Sequence, residues 1–345
     1  MSSVGSVLIR RGGQLISARL PSRQAPPMQL LGFLVVVFTV VAFSMAIFWV
    51  DYTCTQVIGT LAAIEDSNPN PYIRLDGGGS NDSCDPHDPE ATAASTTKPI
   101  TRGLRSAIKH LRARGGIWSC FRGFRMYLAF TTFDMSVGFL LPVFLPVSID
   151  SLISSFLGLF VVSMLLATWH MAWVHLVIAD QSPRSSYRRM LGLHHWPRIA
   201  PAAALYNFLM CVTFSLPTVA ARFAGGTVMG VVGHWKDTGR LDFVAISILS
   251  AIFYLLASIP ARGIFTRVAA SMLPEEDVPI VPFDRLFGGK LKPENMGGSD
   301  KLSIRDAWTS FAWAARIRYV KVILKAFAIE VAVGVVGILV FGLIF

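Results

Sequence analysis

The sequence predicts an all-α integral membrane protein, a bundle of six transmembrane helices with amphipathic helices at the membrane interface. Composition is the first reason, because 53% of the 345 residues are hydrophobic and only 15% are charged, whereas soluble domains carry about a quarter charged residues. The second reason is that the uncharged residues lie in long windows. A helix needs roughly 20 apolar residues to cross the hydrocarbon core, and six windows approach or reach that length.

The predicted spans cover about residues 28–50, 126–149, 152–179, 199–221, 243–259 and 322–345. They form one membrane domain, 28–345. Very few residues separate the second span from the third, which predicts a tight antiparallel hairpin. Polar loops at 51–101 and 263–303 are rich in Asp, Pro, Gly and Ser, and they are predicted to have little fixed structure.

The N-terminal tail, residues 1–27, contains four arginines, several serines and no acidic residue. This composition is typical of a mitochondrial presequence. A disordered basic tail fits the same residues equally well, so both interpretations stay open.

Basic amphipathic helices are predicted ahead of two even-numbered spans, at about 102–114 and 304–319. In the first, Leu104, Ile108 and Leu111 share one face. The second begins with a capping motif, Ser303-Ile-Arg-Asp306. Basic residues occupy the remaining surface of both helices and are predicted to face anionic lipid headgroups: Arg105, Lys109, Arg112, Arg316 and Arg318. For the first helix, packing against other loops of the same chain is the alternative.

The net charge of +10 comes from 31 Lys and Arg against 21 Asp and Glu, and most of the basic residues lie in loops 51–125, 179–199 and 260–321. The positive-inside rule predicts that these loops lie on the matrix or cytosolic side and both termini on the other side. Nucleic acid is therefore not an expected partner. The four cysteines form no CxxC pair, and no metal, cofactor or catalytic motif is recognisable, so an enzyme is not expected.

Three polar residues inside the apolar spans are the candidate binding residues: Asp134, Asn207 and Glu330. Each lies nine residues after a basic residue at the start of an even-numbered span. Polar groups in the bilayer are costly and usually face a bundle interior or a wet cavity. We therefore predict a central polar site for a solute. The alternative is that Asp134 bonds a nearby hydroxyl and serves packing only.

The layout of six spans in three pairs is similar to that of the mitochondrial carrier family. The stretch Gly103–Arg125 looks like the family's pattern between a matrix helix and an even-numbered span. Residues 260–267, Pro-Ala-Arg-Gly-Ile-Phe-Thr-Arg, look like a degenerate form of its signature, with Arg262 where the family has an acid. The run 267–285 also resembles a family of fungal multi-pass membrane proteins that has no assigned activity.

This resemblance implies three pseudo-repeated helix pairs and a divergent carrier-like transporter of a small solute. It also implies the mitochondrial inner membrane, with an endomembrane as the other location. A second function hypothesis is a non-transporting membrane scaffold, whose basic loops bind anionic lipid or a protein partner.

Overall fold

A computed structural model describes residues 30–65, 99–140, 151–181, 193–223, 248–291 and 302–344. Helix makes up 84% of the structure and strand 2%, which confirms the all-α class. The α-helices are α1 (Leu30–Val50), α2 (Gly59–Ile64), α3 (Leu104–Gly115), α4 (Phe124–Leu140), α5 (Ser151–Leu165), α6 (Ala167–Ile178), α7 (Trp196–Phe223), α8 (Ile259–Ser271), α9 (Ile304–Thr309) and α10 (Trp313–Ile344). Short 3₁₀ turns cover Ile100–Arg102, Ile117–Phe121 and Leu193–His195.

Four helices within these ranges are long and apolar enough to cross a membrane: Gly32–Ile64, Trp196–Ala220, Ile248–Ser271 and Trp313–Gly342. The pair Leu152–Leu165 and Ala167–Ile178, bent by 56°, makes a fifth if it is one span. The remaining predicted span, 126–149, contains α4, which is 17 residues long. Residues 141–149 lie outside the described residues, as do the tail 1–27 and much of both polar loops, so the sixth span stays a prediction.

The first span does not end at residue 50. Its helix continues through a π-helical turn, Asp51–Ile58, and then through α2 to Ile64. Sequence analysis assigned residues 51–64 to a polar loop because Asp51 ends the uncharged window. In the structure, however, Tyr52, Ile58 and Leu61 are fully buried. The apolar face of this segment therefore outweighs its polar residues.

The fifth span also extends beyond its predicted end at residue 259. A π-helical turn, Tyr254–Ser258, leads directly into α8, and Pro260 occupies the first turn of that helix. Pro260 therefore lies inside the continuous helix Ile248–Ser271, directly after the π-helical turn, where the regular α-helical hydrogen-bond pattern is already altered. Sequence analysis ended the fifth span at residue 259, whereas in the structure the helix continues through Pro260.

The chain divides into two compact units. Among the described residues, the first unit comprises 30–48 and 331–344. Here a Cβ added to Gly337 would lie 3.0 Å from Phe43 Cγ, so this glycine permits close helix packing. The second unit, Trp49–Glu330, contains the buried core, whose largest enclosed side chains include Trp173, Tyr52 and Phe265.

The amphipathic helix predicted at 102–114 is confirmed as α3. Its apolar face lies against the core of the second unit, with Ala107 and Leu111 buried. This agrees with the alternative of packing against the same chain, although the basic face stays exposed. The helix predicted at 304–319 is interrupted, because α9 ends at Thr309 and α10 begins at Trp313. The capping motif is confirmed, since Asp306 N donates to Ser303 Oγ at 3.1 Å.

A two-stranded antiparallel sheet follows α6 and was not predicted. Strand β1 (Ala179–Gln181) pairs with β2 (Val278–Pro279), and Ile280 N donates to Ile178 O at 2.9 Å. The pairing ties the segment after α8 to the end of α6.

Candidate functional site

A cavity of about 250 Å³ lies in the second unit, between the π-helical turn Asp51–Ile58 and helices α4, α5, α6 and α7. We call it the Asp134 cavity. Its polar lining residues are Gln56, Tyr127, Thr131, Asp134, Ser163, His170, Tyr206 and Asn207. Apolar residues such as Leu159 and Phe214 complete the wall. A polar hollow with apolar surroundings is the usual form of a small-molecule site.

Two of the three predicted binding residues share this cavity. Asp134 is half-buried and accepts a hydrogen bond of 2.7 Å from Ser163 Oγ. Asn207 is buried, and its Nδ2 lies 3.9 Å from Met164 Sδ. The helices α4 and α7 therefore contribute one predicted polar group each to the same wall.

Glu330 does not line the Asp134 cavity. Its Oε1 accepts a hydrogen bond of 3.4 Å from Thr55 Oγ1 instead. The expectation that all three residues meet at one site is therefore not met. The nine-residue spacing from a basic residue sets depth along a helix, but the rotation of the helix decides which way its side chain points.

A buried arginine binds one of the residues that line the cavity. Arg262 is 6% exposed and donates to Thr55 O at 2.9 Å and to Gln56 Oε1 at 2.8 Å. Gln56 Nε2 in turn donates to Asp51 Oδ2 at 3.2 Å. Through Gln56, which also lines the cavity, the guanidinium is linked to the cavity wall. A charged residue inside a transmembrane helix, with identified hydrogen-bond partners, often belongs to a functional site.

His170 closes another part of the wall through ring contacts. Its ring centroid lies 4.4 Å from that of Phe265 and 4.9 Å from that of Phe130. These contacts fix the orientation of the imidazole. Within the described ranges, no group of three or more His, Cys, Asp or Glu side chains could hold a metal ion.

Two further buried charged residues connect different elements of the second unit through hydrogen bonds. Arg267 donates to Ala307 O and Ala63 O, both at 3.1 Å. Glu65 accepts hydrogen bonds from the backbone N–H groups of Ile100 and Thr101 and from the Thr101 hydroxyl. Sequence analysis did not single out either residue. For Arg267 a signal existed, since two arginines interrupt the otherwise apolar run 259–271.

The basic residues predicted to face lipid behave in two ways. Arg105, Lys109 and Arg112 are exposed on α3, as expected. Arg318 binds protein instead, because its side chain is 10% exposed and lies 3.8 Å from the Glu65 carboxylate. Arg316 donates to Phe311 O at 2.7 Å and stacks 3.9 Å from the Trp308 ring centroid. The prediction of headgroup contact therefore stays with the three residues of α3.

Comparison with protein-family models, with curated proteins and with solved structures finds no match for this chain. The site must therefore be interpreted from its own geometry.

Proposed function

We propose that this multi-pass membrane protein binds a small polar solute in the Asp134 cavity and moves it across the bilayer in a carrier-like cycle. The observation that carries the proposal is the shared cavity of Asp134 and Asn207. Both residues stand out in the sequence as polar groups within apolar spans, and both line one hollow inside the second unit.

The chemistry of the wall indicates the class of solute. Asp134 is the single carboxylate among the lining residues, and it is accompanied by hydroxyl, phenol and amide groups. Such a wall offers one anionic acceptor and several neutral hydrogen-bonding groups. A small solute with an ammonium or another cationic group would satisfy it best. The cavity volume of about 250 Å³ limits the size of that solute.

The remaining architecture belongs to the same proposal. We infer six spans, with the sixth formed by α4 together with residues 141–149, and three pseudo-repeated helix pairs as in the carrier resemblance. The mitochondrial inner membrane is the proposed location, with the basic loops on the matrix side. An endomembrane, with these loops in the cytosol, is the other location.

The test compares two carboxylates within apolar helices, one lining the cavity and one outside it. Purified protein in detergent is heated with each member of a panel of small amines, amino acids and carboxylates, and the unfolding midpoint is recorded. A ligand that binds only the folded state raises this midpoint. We expect at least one cationic solute to stabilise the wild type and the Glu330→Gln variant, but not Asp134→Asn.

Transport is then measured with the stabilising solute in proteoliposomes. Uptake by the wild type and by Glu330→Gln, with none by Asp134→Asn, would support the proposal. If no solute raises the unfolding midpoint of the wild type, or if the same solute raises the midpoint of Asp134→Asn equally, the Asp134 cavity is not a solute site.

A membrane scaffold is the second candidate function, and one observation favours it. Asp134 and Glu330 each already have a hydroxyl donor within the chain, Ser163 and Thr55 respectively. Polar residues satisfied in this way can serve helix packing alone. For a scaffold, Asp134→Asn should leave folding and partner binding unchanged, and no transported solute should be found.

A further inference from the structure

A second and larger cavity opens on the surface of the second unit. This groove has a volume of about 1160 Å³, and its apolar wall includes Trp49, Ile117, Trp118, Phe121 and Leu176. We call it the Trp118 groove. Trp118 is 83% exposed and Ile117 is 65% exposed. Large apolar side chains exposed together mark a surface that contacts lipid, ligand or protein.

A polar hollow adjoins the groove. It has a volume of about 370 Å³ and shares Trp118, Arg122 and Asp180 with the groove. Arg114 and Ser119 also line it. Within the described part of the chain, the buried Ser119 Oγ has no hydrogen-bond partner. The hollow therefore presents an unused donor beside two guanidinium groups.

Two arginines of the hollow form ion pairs with the same carboxylate, that of Asp180. Arg122 Nη1 donates to Asp180 Oδ1 at 3.0 Å, and Arg114 Nη1 donates to Asp180 Oδ2 at 3.3 Å. Burial lowers the pKa of Arg122, and the nearby Asp180 carboxylate opposes that change. One carboxylate thus faces two arginines, and the exposed Arg125 at the start of α4 adds a third cation at the groove. The combined site has an excess of positive charge.

The position of the groove fits the edge of a bilayer. Trp49 follows about 20 apolar residues of the first span, which is roughly the length that crosses the hydrocarbon core. Arg125 lies near the start of α4, and Ala179 directly after α6. Tryptophan and arginine are the residues that mark the level of the headgroups. A ligand that fits both parts needs an anionic head for the hollow and a long apolar tail for the groove.

We propose that the Trp118 groove and its polar hollow bind one anionic phospholipid. The phosphate lies in the hollow beside Arg114 and Ser119, the headgroup faces Arg125 at the groove, and an acyl chain lies along Trp49 and Trp118. Arg122 does not contact the phosphate. It binds the Asp180 carboxylate and so fixes the position of that side chain in the wall of the hollow. The inference rests on the proposed membrane location of the chain but is independent of solute transport through the Asp134 cavity.

The test uses tryptophan fluorescence of the full chain in mixed micelles. Phosphatidylglycerol and phosphatidylcholine, each with brominated acyl chains, quench tryptophans that they touch. We expect brominated phosphatidylglycerol to quench the fluorescence at a lower concentration than brominated phosphatidylcholine. This difference between the two lipids should disappear when Trp49 and Trp118 are both replaced by Phe. Each arginine at an anionic headgroup contributes about fivefold in affinity, so Arg114→Gln with Arg125→Gln should weaken binding by about 25-fold.

The matched control removes two other exposed cations, through Lys290→Gln with Arg305→Gln, because neither residue lines the groove or the hollow and neither belongs to the basic face of α3. It changes the net charge equally but lies outside the groove, so the preference for phosphatidylglycerol should persist. Equal quenching by both lipids, or equal losses in the two double variants, would overturn the proposal. Displacement of the lipid by glycerol phosphate at the same concentration would also overturn it, because the hollow would then be a site for a free phosphate. A solute-dependent midpoint shift at the Asp134 cavity would be unaffected by any of these results.

Discussion

Replacing Arg262 with methionine is the sharpest test of the buried polar network. The guanidinium makes two short hydrogen bonds, of 2.9 Å to Thr55 O and 2.8 Å to Gln56 Oε1, and a longer one of 3.4 Å to Gln56 O. A hydrogen bond from a charged donor contributes about 1.5–3 kcal/mol net, so the two short bonds are worth about 3–6 kcal/mol. Methionine fills similar space and relieves several kcal/mol of charge burial. We therefore expect a net loss of about 2–3 kcal/mol in the free energy of unfolding.

Apparent unfolding midpoints measure this loss, by size-exclusion chromatography of the detergent-solubilised protein after heating. The unfolding entropy of a unit as long as residues 49–330 is about 0.6 kcal/mol/K, so a loss of this size should lower the midpoint by about 3–5 °C. Arg125→Met is the matched control, because the same substitution at an exposed position removes no buried hydrogen bond. If Arg262→Met and Arg125→Met melt together, the carbonyl and amide oxygens that face Arg262 must find other donors. The inference that Arg262 stabilises the π-helical turn Asp51–Ile58 through these bonds would then be refuted.

Three further substitutions or reactions test other parts of the second unit by the same approach. Glu65→Ala removes the acceptor of three hydrogen bonds and the ion-pair partner of Arg318. It should lower the free energy of unfolding by about 3–5 kcal/mol. The control Glu275→Ala, at an exposed position, should change the unfolding midpoint little. Gly123→Ala should destabilise more than Gly288→Ala, because both have positive φ but only Gly123 would place its Cβ 3.1 Å from a buried tryptophan ring. Cys120 is 4% exposed, so a maleimide reagent should modify it only after denaturation, and rapid labelling of Cys120 in the native protein would contradict the described packing.

The class of fold could be predicted because hydrophobicity is a local property of the sequence. Four long apolar windows correspond to single helices of the structure, and a fifth corresponds to the bent pair α5 and α6 if that pair is one span. The ends of these helices were harder to predict. Asp51 and Pro260 are common helix-ending signals, yet both lie where a π-helical turn adjusts the backbone. A π-turn depends on the partners that its freed carbonyl groups find, and those partners are distant in sequence.

The candidate site was predictable only in part, for a similar reason. Asp134 and Asn207 were recognisable as isolated polar residues in apolar segments. Their common cavity also needs Ser163 from α5 and Gln56 from the first span, and neither residue stands out in the sequence. Glu330 had the same signal as Asp134, but it points towards Thr55. Single-helix patterns give depth in the membrane, whereas the assembly of several helices decides which polar groups meet.

The Glu65 carboxylate has a consequence for protein engineering. It binds the backbone N–H groups of Ile100 and Thr101, so the described segments on either side of residues 66–98 are held together. The entropy of closing a loop changes by only about 0.6 kcal/mol when its length doubles. The stretch 66–98 is therefore a suitable place to insert a fluorescent protein or an epitope, or to shorten the chain for crystallisation. The same insertion would report on which side of the membrane this loop lies.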